Sequence, residues 1–182
     1  MAKQTTTTSR RTARSKMDLA VPVSERVEVM EILLAESMTK RGAVRDSLPA
    51  KLAMGVNVET QVDKDEKVVC VRPRFVLSAK YDEADDEELL RIEAQFVLRY
   101  RVPSFDGLRK ANIEAFGELN GLYNAWPYWR EFVQSTTVRM GLPPLTVPVY
   151  RPLGTAGRPK EARKRSRRTN SSGKKQHTTA LP

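Results

Sequence analysis

Hydrophobic and polar positions alternate most clearly in the middle of the chain. In 55–63, Val56, Val58, Thr60 and Val62 fall on one side and Asn57, Glu59, Gln61 and Asp63 on the other. This period of two predicts a half-buried strand. After a charged turn, Lys64–Lys67, the pattern returns in 68–81. Val69, Val71, Phe75, Leu77 and Tyr81 face one way, and Arg72, Arg74, Ser78 and Lys80 the other. Pro73 lacks a ladder donor, which places that position at an edge or a bulge. Asp82–Glu88 holds six acids in seven residues and predicts a solvated turn. Alternation resumes in 89–102, with Leu90, Ile92, Ala94, Phe96, Leu98, Tyr100 and Val102 inward and Arg91, Glu93, Gln95, Arg99 and Arg101 outward. Three such strands joined by short turns predict an antiparallel meander with one covered face.

The flanking segments read less cleanly. In 24–38, Val27 and Val29 alternate like a strand, while Val27, Met30 and Leu34 recur like a helix; period alone does not choose. Segment 39–54, with Gly42 and Pro49, predicts a long connection. Beyond 102 the period changes. A helix over 106–120 would place Leu108, Ala111, Ala115 and Leu119 on one side, with a break at Gly121. A second helix over 124–140 would carry Pro127 in its first turn and Trp129, Phe132, Val133, Thr136 and Met140 on its apolar face. Gly141 is placed to end it, and Pro143, Pro144 and Pro148 enforce an extended exit. The sum is an α+β chain, an antiparallel sheet followed by helix.

Charge divides the chain into three. Its 182 residues hold 32 Lys and Arg and 22 Asp and Glu, a net +10. Residues 1–16 contribute +5 and residues 151–182 contribute +9, so 17–150 is mildly acidic at −4. The basic ends have few apolar residues with which to offset the entropy of ordering, about 1–2 kcal/mol per residue for the backbone. Disordered basic tails are therefore expected at 1–23 and 151–182, around one domain at 24–150. The densest run, Lys160–Arg168, suits weak phosphate contacts with nucleic acid or anionic lipid; a merely solvating tail is the other reading. No apolar run approaches the roughly 18 residues of a membrane span, and no apolar stretch follows the basic N-terminus as in a secretory leader. A single cysteine, Cys70, fits a reducing, cytoplasmic setting.

Catalytic chemistry lacks its parts. His177 is the lone histidine and lies in the C-terminal tail, so nothing in 24–150 activates Cys70 as a nucleophile. Asp85, Asp86, Glu87 and Glu88 are paired carboxylates in a solvated turn. No glycine-rich phosphate loop occurs, and no metal set or cofactor motif is present. The expectation is a non-enzyme with no metal and no cofactor. The richest segment is instead aromatic: Trp126, Tyr128, Trp129 and Phe132 crowd into seven residues and lead into the apolar, proline-rich exit. Core packing against the sheet is the ordinary use of such a stripe.

That segment, AWPYWREFVQSTTVRMGLPPLTVPV over Ala125–Val149, resembles the C-terminal signature of the SecB protein-export chaperones. Trp126-Pro127-Tyr128-Trp129-Arg130-Glu131 matches its helix start, and Gly141, Pro143, Leu145 and Pro148 its exit. Ile92-Glu93-Ala94-Gln95 falls where the family has its last strand. The resemblance implies a four-stranded antiparallel sheet with helices on one face, with a first strand over 25–38 and a crossover loop over 39–54. It implies a homotetramer, a dimer of dimers, that holds unfolded or export-bound polypeptides in apolar grooves without ATP and passes them to SecA. The groove positions would be Leu48, Leu52 and Met54 from the crossover loop and Leu142, Leu145, Val147 and Tyr150 from the exit, over a floor of Phe75 and Leu77. Glu93 matches a motor-docking acid. Some SecB-like chaperones instead protect an antitoxin in a toxin–antitoxin system. The competing expectation is a nucleic-acid or anionic-surface binder that works through its tails.

Overall fold

Four strands, β1 (Glu28–Arg41), β2 (Lys51–Asp63), β3 (Val68–Lys80) and β4 (Leu90–Arg101), form one antiparallel sheet in the order β1-β4-β3-β2. The structure, a computed structural model, describes residues 15–44, 50–81 and 88–151. The basic run Lys160–Arg168, most of the acidic turn and Leu48 lie outside the described residues. The meander expected from the alternation is β2-β3-β4. Its register places Phe75 between Val56 and Ala94, and Leu77 between Met54 and Ile92. Directly opposed residues share a face, so one side of the sheet is an apolar plate of Val69, Val71, Phe75, Leu77, Ile92, Phe96, Leu98 and Tyr100, all buried. The β2–β3 turn is fixed by Asp63, whose Oδ1 accepts the N–H of Asp65 and of Glu66, and by Lys67 in the left-handed region at φ 53°.

Segment 24–38 is strand, and the register explains its double period. β1 shifts against β4 between Val29 and Glu31 and again between Leu34 and Glu36. Each bulge adds a residue, so the positions facing the helices are Val29, Ile32, Leu34, Ser37, Thr39 and Arg41, a set with neither a period of two nor one of 3.6. The same pairings correct two boundaries. Met38–Arg41 continue the ladder with Leu90–Glu93, and Lys51–Met54 pair with Leu77–Lys80. The crossover thus shrinks from 39–54 to 42–50. Pro73 also departs from expectation: it lies in an interior strand, unbulged opposite Val58. The ladder with β4 skips Arg72 and Pro73 and resumes in the same register, so the missing donor is absorbed by a local gap.

The helices differ more from the expected pattern. Residues 16–23, placed by composition in the N-terminal tail, belong to α1 (Lys16–Ser24). A capping box starts it: Ser15 Oγ accepts the Asp18 N–H and Asp18 Oδ2 accepts the Ser15 N–H. Ala20 and Val23 are buried, and Asn112 Nδ2 donates to Leu19 O at 2.8 Å. Two buried side chains and one polar tether suffice to dock a segment whose charge suggested a tail. The break expected at Gly121 does not occur. α2 (Lys110–Phe116) passes through a π-helical turn (Gly117–Gly121) directly into α3 (Leu122–Arg139). Pro127 therefore lies inside α3, not in a first turn.

The two glycines serve close approach. A Cβ on Gly117 would overlap Thr60 Oγ1, and one on Gly121 would stand 2.6 Å from Val71 Cγ1. The π turn lies directly on β2 and β3 because these positions have no side chain. Val71 is fully buried and has no room to yield. Gly121→Ala is therefore expected to destabilise the fold by about 1–3 kcal/mol through overpacking, read as a lower denaturant midpoint with an unchanged slope.

α3 covers the plate with aromatic rings. Trp129 stacks on Phe75 at 5.1 Å and 9° between planes, and Trp126 meets the same ring edge-on at 5.7 Å. Tyr100 lies under Phe116, its hydroxyl accepting from Asn124 Nδ2, and burial pushes its phenol up to about 12.

Candidate functional site

The helices cover the centre of the sheet and leave both margins open in part, β1 at Val29 and Leu34 and β2 at Leu52, Met54 and Val56. Leu52, Met54 and Val56 share the helix-side face with buried Ala79, Leu77 and Phe75, yet are 55, 48 and 47 % exposed. Three consecutive inward positions of an edge strand thus form an open apolar strip. Together they form a contiguous stretch of exposed apolar surface. Met54 adds an adaptable thioether.

The exit segment borders the aromatic cluster beside this strip. Gly141, in the left-handed region at φ 70°, ends α3. The chain then runs back along the helix: Leu145 N donates to Thr137 Oγ1 at 3.1 Å, Arg130 Nε donates to Val147 O at 2.8 Å, and Trp126 Nε1 donates to Pro148 O at 2.8 Å. The Tyr150 ring lies 5.2 Å from that of Trp126, and burial raises its phenol above the usual value.

The sequence-derived groove residues separate into three groups. Leu52 and Met54 are open to solvent. Leu142, Leu145 and Tyr150 are half-buried against the core. Phe75, Leu77 and Val147 are buried, beneath the surface and not on it. Trp126, Arg130 and Thr137 were not foreseen as the residues that hold the exit segment. Their spacing of four and seven puts them on one helical face, which is a usable signal once something is known to pack there. Val56 was foreseen only as an inward strand residue.

Glu93 faces outward, as expected, but its carboxylate is engaged. Arg91 Nη2 approaches it to 2.6 Å and Arg74 Nη1 to 3.9 Å. Its hydrogen bond, followed by that of Glu88, raises the Arg91 pKa further. The same outer face pairs Arg99 with Glu31 at 2.9 Å and Arg74 with Glu36 at 2.6 Å. Among the described residues no group of three or more His, Cys, Asp or Glu side chains is placed to hold a metal, and no helix is long and apolar enough to cross a membrane.

No family model and no curated protein matches the chain. Solved structures do. A SecB-like chaperone of Mycobacterium tuberculosis, in complex with a peptide from an antitoxin, superposes with a TM-score of 0.66 at 17 % identity, covering 74 % of this chain and 98 % of that one. The fold is SecB-like. A Streptococcus agalactiae protein of unknown function aligns over 67 % of this chain and 96 % of its own, with a TM-score of 0.36 and 11 % identity, too distant to bear on the architecture. In the SecB-like fold of this chain, the open strip lies on β2 and the aromatic cluster on α3. Helix α1 packs against α2.

Proposed function

We propose that the protein is an ATP-independent chaperone that holds unfolded polypeptide against the strip Leu52–Met54–Val56 and the neighbouring exit segment. The observation that carries the reading is the half-exposed apolar strip of Leu52, Met54 and Val56 beside the buried Ala79, Leu77 and Phe75 of β3. Phe75 and Leu77 flank the strip as its buried cross-strand neighbours, and Leu142 and Leu145 belong to the half-buried part of the exit segment. Each client residue contributes little, and many act together along one chain. The SecB-like neighbour, which holds an antitoxin peptide, supports a polypeptide client.

An antitoxin-like client is favoured over motor-coupled export. A basic motor docking at Glu93 would compete with two arginines already paired to it. Assembly as a dimer of dimers is part of the proposal. β1 is an edge strand whose Val29, Met30, Leu33, Leu34 and Met38 are 42–51 % exposed, more apolar surface than a lone edge keeps in water. The second reading rests on the +9 of residues 151–182, which suits anionic partners. Salt separates the two. The test is titration of the full chain with a dye-labelled, permanently unfolded polypeptide: apolar holding persists at high salt, whereas phosphate-type binding by the tails falls steeply.

A further inference from the structure

The exit segment is bound to α3 as a peptide is bound to a receptor. Every tether from 145–150 to the helix runs from its backbone to a side chain: Thr137 Oγ1 takes the Leu145 N–H, and Arg130 Nε and Trp126 Nε1 donate to the carbonyls of Val147 and Pro148. Among the described residues no backbone–backbone hydrogen bond joins 143–150 to the rest of the chain. Val147 is its one buried side chain; Pro143, Pro144, Thr146, Pro148 and Val149 are exposed. Three prolines leave the segment few donors and hold it extended. A stretch with one buried side chain and no ladder belongs to the least stable part of a fold.

The α3 face is equally informative. Trp126 and Arg130, one turn apart, present two donors to successive carbonyls of an extended chain. Carbonyls are common to every polypeptide, so these donors carry no sequence preference. Preference comes from the two side-chain positions: Val147 enters the core, and Tyr150, three residues on, lies against Trp126. Trp126 in turn touches Phe75, the strand neighbour of exposed Val56.

We propose that residues 145–150 are a built-in stand-in for the client. The same α3 face takes an extended client segment with an aliphatic residue and an aromatic one three positions later, received by Trp126 and Arg130 once the strap has left. The client identity rests on the chaperone reading above; the exchangeable strap does not. Occupancy by the strap lowers apparent client affinity by the fraction of molecules in which it is open.

The test uses the full chain and its Val147→Ser/Tyr150→Ser variant, with a dye-labelled synthetic peptide of residues 143–151. The variant is expected to bind this peptide at least tenfold more tightly than the wild type, and adding Arg130→Ala is expected to weaken that binding several-fold. Equal affinity for the variant and wild type overturns the proposal. Hydrogen exchange on the wild type guards against a variant that fails to fold: the amide of Leu145, the donor that ties the strap to Thr137, should exchange at least a hundredfold faster than those of β3. Protection equal to β3 overturns the proposal. With the unfolded polypeptide as probe, tighter binding by the variant supports strap exchange. Weaker binding means that Val147 and Tyr150 themselves line the site; it overturns strap exchange and leaves the chaperone reading intact. No binding by either protein overturns the chaperone reading, and the peptide result then decides on the strap alone.

Discussion

Trp129→Ala is expected to cost about 3–5 kcal/mol, the range for removing a buried tryptophan, and so a large share of the 5–15 kcal/mol that holds an ordinary domain together. Trp129 is fully buried, stacks on Phe75 at 5.1 Å and lies 6.4 Å from Phe132. Its removal opens a cavity where α3 meets the sheet. Trp129→Phe is expected to cost far less than the alanine change. The indole Nε1 has no hydrogen-bond partner among the described residues, so the smaller ring loses volume and contacts but no hydrogen bond, and it removes an unsatisfied donor. Trp126→Phe should behave differently, because it forfeits the bond to Pro148 O. Urea unfolding of the three variants reads these differences directly. A Trp129→Ala midpoint equal to the wild type would mean that α3 is not seated on Phe75.

Leu52→Glu/Met54→Glu is expected to raise the dissociation constant for unfolded polypeptide at least tenfold while leaving stability nearly unchanged. Both side chains are about half exposed, so charging them disturbs no core; surface changes of this kind stay within about 0.5 kcal/mol per site. An apolar client segment laid across the strip would have to desolvate two carboxylates. Fluorescence anisotropy gives the affinity and a melt gives the stability. Unchanged affinity with the fold intact would place the client elsewhere. Loss of both together would show that Leu52 and Met54 are structural.

The two changes mark the division between what the sequence revealed and what it hid. Positions covered by helices on one face, such as Val69, Phe75, Ile92 and Leu98, obey a strict alternation, and those strands were legible residue by residue. β1 was not, because two bulges move its apolar set between faces and erase any single period. α1 was missed because Lys16 and its basic neighbours resemble a tail, whereas a capping box and two buried side chains are enough to dock it. Gly121 was read as a chain breaker, and Gly117 drew no notice. Their missing side chains instead admit Thr60 and Val71, and the helix continues. At the site, the resemblance in Ala125–Val149 drew attention to the exit segment, but no pattern in the sequence distinguishes a residue on the surface from one beneath it. Val147 and Leu145 are both apolar and two apart, yet Val147 is buried and Leu145 only half so. The outward alternation of β4 placed Glu93 on the right face; it said nothing of Arg74, which comes from β3 and reaches the same carboxylate through strand register.

The most direct test of the proposed function is a titration of the full-length protein with a dye-labelled, permanently unfolded polypeptide at low and at high salt, alongside the Leu52→Glu/Met54→Glu variant. The account expects binding that persists at high salt, where exposed charges are screened beyond a few ångströms, and that the variant loses. Binding that disappears with salt and is indifferent to the variant would assign recognition to the basic ends of the chain and contradict the chaperone reading.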